Sequence, residues 1–169
     1  GLPLTKGVGY YLAGANGGNP PMADYDIQNL KFPIVEDDTN MCHLISTILG
    51  SLGVKEVRTA SPVDKGFKIL FELEADIVIC DLRMEPKDGL EFTRMVRTRE
   101  NSPNCYVPII MLTGHTAKKI VESARDAGMH EFLAKPVSAT KLYGKIRSII
   151  DHNRVFICSG DYIGPDQWR

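Results

Sequence analysis

Four separate stretches of the chain end in groups that could act together: the acids Glu36-Asp37-Asp38, the lone Asp81, Thr113 and Lys135. Each follows a largely apolar run. Phe32 to Val35 precede the acids, Ile77 to Cys80 precede Asp81, Val107 to Leu112 precede Thr113, and Glu131 to Ala134 precede Lys135. Singly, each has an ordinary structural explanation. Asp opens turns and caps helices, acids suit a helix's first turn, and a lysine is usually a solvated surface charge. Those explanations do not account for all four groups at corresponding strand ends. Clustered carboxylates stay ionised only beside a compensating cation, and hard oxygen donors suit magnesium. A hydroxyl and an ammonium are donors suited to an oxyanion such as a phosphoryl group. The chemistry that uses every member is phosphoryl transfer to a carboxylate. Asp81 would be the nucleophile, and a metal would neutralise charge on the transferring group.

Such a pocket needs elements that bring the four ends to one edge, and the hydrophobic pattern supplies them. Met41, Leu44, Ile45, Ile48, Leu49 and Leu52 repeat at helical spacing, closed by Gly50 or Gly53. Residues 57–60 read as a second strand. Ser61-Pro62 then reads as N-cap and first position of a helix whose apolar side is Phe67, Leu70 and Phe71. Strand three spans 76–80, followed after Asp88-Gly89 by a helix over 90–99 with Leu90, Met95 and Val96 inward. Strand four spans 107–112. A helix near 117–127 ends at Gly128. Strand five, 131–134, leads to a helix over 139–151 that buries Leu142, Tyr143, Ile146, Ile149 and Ile150. Continuous apolar strands alternating with amphipathic helices predict an α/β fold, a five-stranded parallel sheet covered on both faces. The carboxyl ends of such strands share one edge, where ligands of open α/β sheets bind.

Composition sets the bounds. The chain has 169 residues, 43% hydrophobic and 24% charged, which suits one domain with a full core. A formal net charge of −1 offers no footprint for nucleic acid, and no apolar run is long enough to span a membrane. Cys42, Cys80, Cys105 and Cys158 form no C-x-x-C pair, so the expectation is free thiols and a cytoplasmic setting. Residues 1–21 are glycine-rich and aperiodic. They read as a vector remnant ahead of Met22 or as a flexible arm. The domain is expected over 22–151 and a tail over 152–169. Tyr162, Ile163 and Trp168 are costly to leave in water, so the tail is expected to pack on the domain or on a partner.

These residues resemble the receiver domain of two-component response regulators, of the stand-alone, chemotaxis-regulator-like kind. The resemblance covers about residues 29–151. It rests on Glu36-Asp37, Asp81, Asp88-Gly89, Thr113 and Lys135-Pro136 in that order and spacing. It implies a flavodoxin-like (βα)5 sheet of order 2-1-3-4-5. It further implies Asp81 as phosphoacceptor. Asp37, Asp81 and the Arg83 backbone carbonyl would be magnesium ligands, with Glu36 acting through a bound water. Thr113 and Lys135 would hold the phosphoryl oxygens, and Phe132 would take the place of the aromatic switch residue, with Gly114 leaving room beside the site. The implied partners are a histidine kinase or histidine phosphotransfer protein and a downstream protein reading about 115–130 and 138–150, with no nucleic acid and no membrane. The implied function is a phosphorelay switch, not an enzyme beyond self-catalysed phosphotransfer and autodephosphorylation.

Three departures from the family pattern stand out. Pro33 lies inside a strand expected to be central. The turn after Asp81 reads Met84-Glu85-Pro86, with the proline one place later than the family's usual Met-Pro, and Glu85 adds an acid. Phe132 replaces the commoner tyrosine, so the switch must work by packing alone. Two alternatives remain open at this point. One is a magnesium-dependent phosphohydrolase with an aspartyl-phosphate intermediate, although Arg83 stands where its general acid belongs and cannot donate a proton. The other is a scaffold that never takes phosphate.

Overall fold

The structure, a computed structural model, describes residues 27–114, 118–152, 156–159 and 162–165. The expectations for residues 1–21, for the first residue of the helix near 117 and for Trp168 lie outside these. Strands and helices alternate along the chain: β1 (Lys31–Val35), α1 (Thr39–Ser51), β2 (Glu56–Ala60), α2 (Val63–Glu72), β3 (Val78–Asp81), α3 (Gly89–Thr98), β4 (Ile109–Thr113), α4 (Lys118–Ala127), β5 (Glu131–Ala134) and α5 (Ala139–Asp151). The first five strands form one parallel sheet in the order β2-β1-β3-β4-β5. A short antiparallel hairpin follows, β6 (Phe156–Ser159) and β7 (Tyr162–Pro165).

The two-residue period of a strand sorts the core into layers. On one face Ile34, Ile79, Ile110 and Leu133 pack under α1 and α5, against Ile45, Leu49, Leu142 and Ile146. On the other, Val35, Val78, Cys80 and Ile109 pack under α2 and α3, against Phe67, Leu70, Phe92 and Val96. A third, smaller cluster sits under α4, where Met111, Ala124 and Met129 meet Leu82 and the half-buried Phe132. Burying both faces of the sheet is what the continuous apolar strands demand. The helix termini follow the sequence closely. Gly53 (φ 94°) stands just past the end of α1, and Gly128 (φ 101°) follows α4. Both adopt the left-handed backbone that only glycine accepts without strain.

Three local expectations need correction. Helix α2 starts one residue late: Pro62 is its N-cap, without a side-chain bond, and Ser61 lies outside. Phe71 is 54% exposed, because Phe67 and Leu70 already fill the sheet-facing side. Its ring instead stands edge-on to Phe67, with centroids 5.7 Å apart. Asp81 is the last residue of β3, not the first beyond it, so ladder pairing with Leu112 holds it. Pro33, by contrast, is accommodated. It is fully within β1, in register with Arg58 of β2, and the β1–β3 ladder begins only at Ile34, just after the missing N–H.

Candidate functional site

The backbone delivers each group to the same sheet edge by extending the ladders past the strands. The Glu36 amide donates to the Ala60 carbonyl at 3.2 Å, that of Leu82 to Leu112 at 2.9 Å, and that of Lys135 to Thr113 at 2.9 Å. The side chains at these ends are therefore set by regular strand geometry. Glu36, Asp81 and Thr113 are buried, with 3%, 4% and 2% of their surface exposed. Carboxylate oxygens of Glu36, Asp37 and Asp81 all lie within 4.8 Å of one another. The Lys135 ammonium sits 2.9 Å from Asp81 Oδ1. Thus the acids, the hydroxyl-bearing strand end and the amine converge where the sequence spacing placed them.

The three consecutive acids have three different tasks. Asp38 caps α1, accepting from the amides of Asn40 at 2.9 Å and Met41 at 3.4 Å. The helix-cap explanation is correct for this one residue. Glu36 turns inward. One of its oxygens accepts from the Asp38 amide at 3.0 Å, while Oε2 is buried with no hydrogen-bond partner. Asp37 stays exposed beside the pocket.

Burial dominates the electrostatics. It pushes the Glu36 carboxyl up to about 7, against the Asp38 amide bond, with Asp81 adding to the rise. Burial also raises Asp81, outweighing the hydrogen bond and charge of Lys135, and Asp37 contributes to the same rise. Burial alone would lower Lys135, but its bond to Asp81 and the charges of Asp81, Glu36 and Asp38 raise it overall. One ammonium does not neutralise this set. An orphaned buried oxygen and carboxylates held above their usual range are what a divalent cation would relieve, and oxygen donors at this spacing suit magnesium.

The loop after Asp81 is held close to it. The Gly89 amide donates to the Leu82 carbonyl at 2.9 Å, and a Cβ on Gly89 would collide with the Asp81 carbonyl and lie 2.8 Å from Met111 Sδ. Asp88 caps α3 through the Glu91 amide at 2.9 Å. Arg83 and Glu85 are exposed in this loop and, with Asp37, line a groove of about 560 Å³ that reaches Ile120 of α4. A Cβ on Gly114 would meet nothing within 4 Å, so space is open there. A second groove, of about 530 Å³, runs from Glu36 and Asp37 to Lys65 and Lys68. The sequence reading overlooked those two lysines; their spacing of three on the exposed side of α2 was the available signal.

A family model described as the response regulator receiver domain matches residues 32–147. A probable chemotaxis protein CheY from Rhizobium etli is 31% identical over 122 residues, covering 72% of this chain and 93% of that protein. Among solved structures, the receiver domain of sensor histidine kinase PA1611 from Pseudomonas aeruginosa, with magnesium coordinated in its active-site cleft, is similar. Its identity is 28% and its TM-score 0.65, over 73% of this chain and 99% of that one. The receiver domain of the histidine kinase CKI1 from Arabidopsis thaliana, complexed with Mg2+ and BeF3-, is 26% identical. Its TM-score is 0.67, over 75% of this chain and 93% of that one.

Proposed function

The chain belongs to the response regulator receiver domain family of two-component signalling, and on that premise we propose that Asp81 accepts a phosphoryl group from a phosphohistidine donor. One observation carries the reading: a buried strand-end carboxylate lies 2.9 Å from the Lys135 ammonium and within 4.8 Å of two further acids. In the transfer, an Asp81 carboxylate oxygen bonds to phosphorus. The donor's P–N bond breaks and its electron pair returns to the imidazole nitrogen. Asp81 starts as an ion pair with Lys135, so the ammonium is in place to take a phosphoryl oxygen once Asp81 becomes an acyl phosphate. Thr113, at the end of the neighbouring strand, supplies a hydroxyl on the same edge.

Asp37, Asp81 and the Arg83 backbone carbonyl would hold magnesium directly, with Glu36, within 4.8 Å of both acids, acting through a bound water. When bound, the metal supplies positive charge against the transferring group. After transfer, a dianionic group replaces a single carboxylate charge beside Thr113 and Lys135. Thr113 is drawn inward, and Phe132 follows into the space released. The output is a changed protein-binding face on α4, β5 and α5. The donor is a histidine kinase or a phosphotransfer protein, and the reader is a downstream protein. The test is mass spectrometry with acetyl phosphate and magnesium. One addition of about 80 Da, the mass of a phosphoryl group, is expected on the parent chain and none on Asp81→Asn; an equal shift in the variant ends the assignment.

A further inference from the structure

The terminal hairpin is fastened at the far end of α4 from the site. Three sets of contacts hold it. Phe156 of β6 meets Tyr106 edge-on at 5.1 Å and His130 at 5.2 Å between ring centroids. The Arg97 guanidinium of α3 lies over the same ring at 5.1 Å. Gly164 of β7 abuts the residue that ends α4: a Cβ there would lie 2.8 Å from Gly128 Cα and 2.6 Å from the Tyr162 hydroxyl. From the other side, a Cβ on Gly128 would lie 2.7 Å from the Ile163 carbonyl. Backbone packs on backbone here because both residues are glycine.

Arg97 ties the junction together. It is 2% exposed. Its Nε donates to the Gly128 carbonyl at 3.0 Å, Nη1 donates to the Cys105 carbonyl at 2.9 Å, and Nη2 lies 3.4 Å from His130 Nδ1. A buried guanidinium whose donors are used is costly to uncover or leave unpaired. The hairpin, the end of α3 and the end of α4 are therefore one packed unit. Gly128 also leads, through Met129 and His130, into β5 and Phe132.

We propose that the hairpin is a built-in brake on the switch: it pins the C-terminal end of α4, so that phosphoryl binding at Asp81 must work against it. The proposal rests on the receiver reading above. Contacts bias a switch only when they differ between its two states. Those at Gly128 are placed to do so: Gly128 directly follows α4, and Ala124 and Ile120 of α4 share a core cluster with Phe132.

The test uses the full chain, with beryllofluoride and magnesium as the phosphoryl mimic, and two hairpin variants. Gly164→Val forces the hairpin off Gly128. Phe156→Ala removes the ring over Arg97. In both, amide exchange across residues 118–129 of the unliganded protein should speed by tenfold or more. The affinity for beryllofluoride should rise by about fivefold or more, the low end of ordinary coupling between sites. If circular dichroism shows that Gly164→Val disturbs the sheet, Phe156→Ala decides. Unchanged exchange, or faster exchange with affinity within twofold of the parent, overturns the brake and leaves the receiver reading intact. A parent chain that binds no beryllofluoride overturns the receiver reading itself, and the brake with it.

Discussion

Glu36, Asp37 and Asp38 are chemically near-identical neighbours, yet backbone direction gives each a separate role. Asp38 bonds to two amides at the start of α1, Asp37 faces solvent at the pocket mouth, and Glu36 is buried. Single substitutions should separate these roles. Asp38→Ala removes the cap and should cost about 1 kcal/mol of stability, as helix caps do. Asp37→Ala should cost under about 0.5 kcal/mol, the usual size for an exposed side chain, while weakening magnesium binding by tenfold or more. Denaturant melts read the first quantity and calorimetric titration with magnesium the second. The reverse pattern would move the ligand role from Asp37 to Asp38. Residue type and spacing could not divide the three acids, because capping and ligation favour the same residue type at the same place; only the family resemblance gave Glu36 and Asp37 separate roles.

At the scale of elements, the site depends on how tightly a loop returns beneath the strand that bears Asp81. Gly89 begins α3 against the Asp81 carbonyl, and no side chain fits between them. Gly89→Ala should therefore push α3 and the Asp81 backbone apart. Phosphorylation by acetyl phosphate should slow by about tenfold, the scale expected when a reacting group is displaced by a fraction of an ångström. Unfolding should show a loss of about 1–3 kcal/mol, as for other overpacked positions. An unchanged rate with lowered stability would mean that Gly89 serves folding alone. Most elements were legible because four of the strands are largely apolar runs and each helix has one apolar face, whereas β2, EVRTA, carries little such signal and the 2-1-3-4-5 order came from the resemblance. The exact ends were less so. Ser61 and Pro62 satisfied the capping rule, yet the helix begins after both. Phe71 has the right spacing for the core, but helical spacing cannot report that Phe67 and Leu70 already fill the sheet-facing side. The site was legible because strand ends of a parallel sheet share an edge whatever their separation in sequence. The contact between Gly128 and Gly164 was not, since glycine carries no hydrophobic signal and the approach depends on tertiary placement.

Taken as a whole, the molecule buries Glu36 and Asp81 together at one edge of its sheet, so its stability should respond to pH and to metal together. The Glu36 carboxyl is raised from 4.5 to about 7, chiefly by burial. The unfolded chain releases that proton near pH 4.5, while the folded chain keeps it until about pH 7. Between those values the folded state binds more protons, so stability falls as pH rises. Asp81, also raised by burial, pulls in the same direction. Without metal, the urea midpoint of the parent should drop from pH 5 to pH 7.5 by more than that of Glu36→Gln, whose side chain does not titrate. Magnesium binding to the ionised acids of the folded state should reverse the drop at pH 7.5. At a concentration 100 times its dissociation constant it adds about 2.7 kcal/mol, with the denaturant slope unchanged because the surface exposed on unfolding is the same. At pH 5 the gain should be smaller, since the proton held by Glu36 competes with the metal. A midpoint at pH 7.5 that magnesium leaves unmoved would show that these carboxylates, although close together, are not a cation site. The fold would then have to tolerate their repulsion by protonation alone.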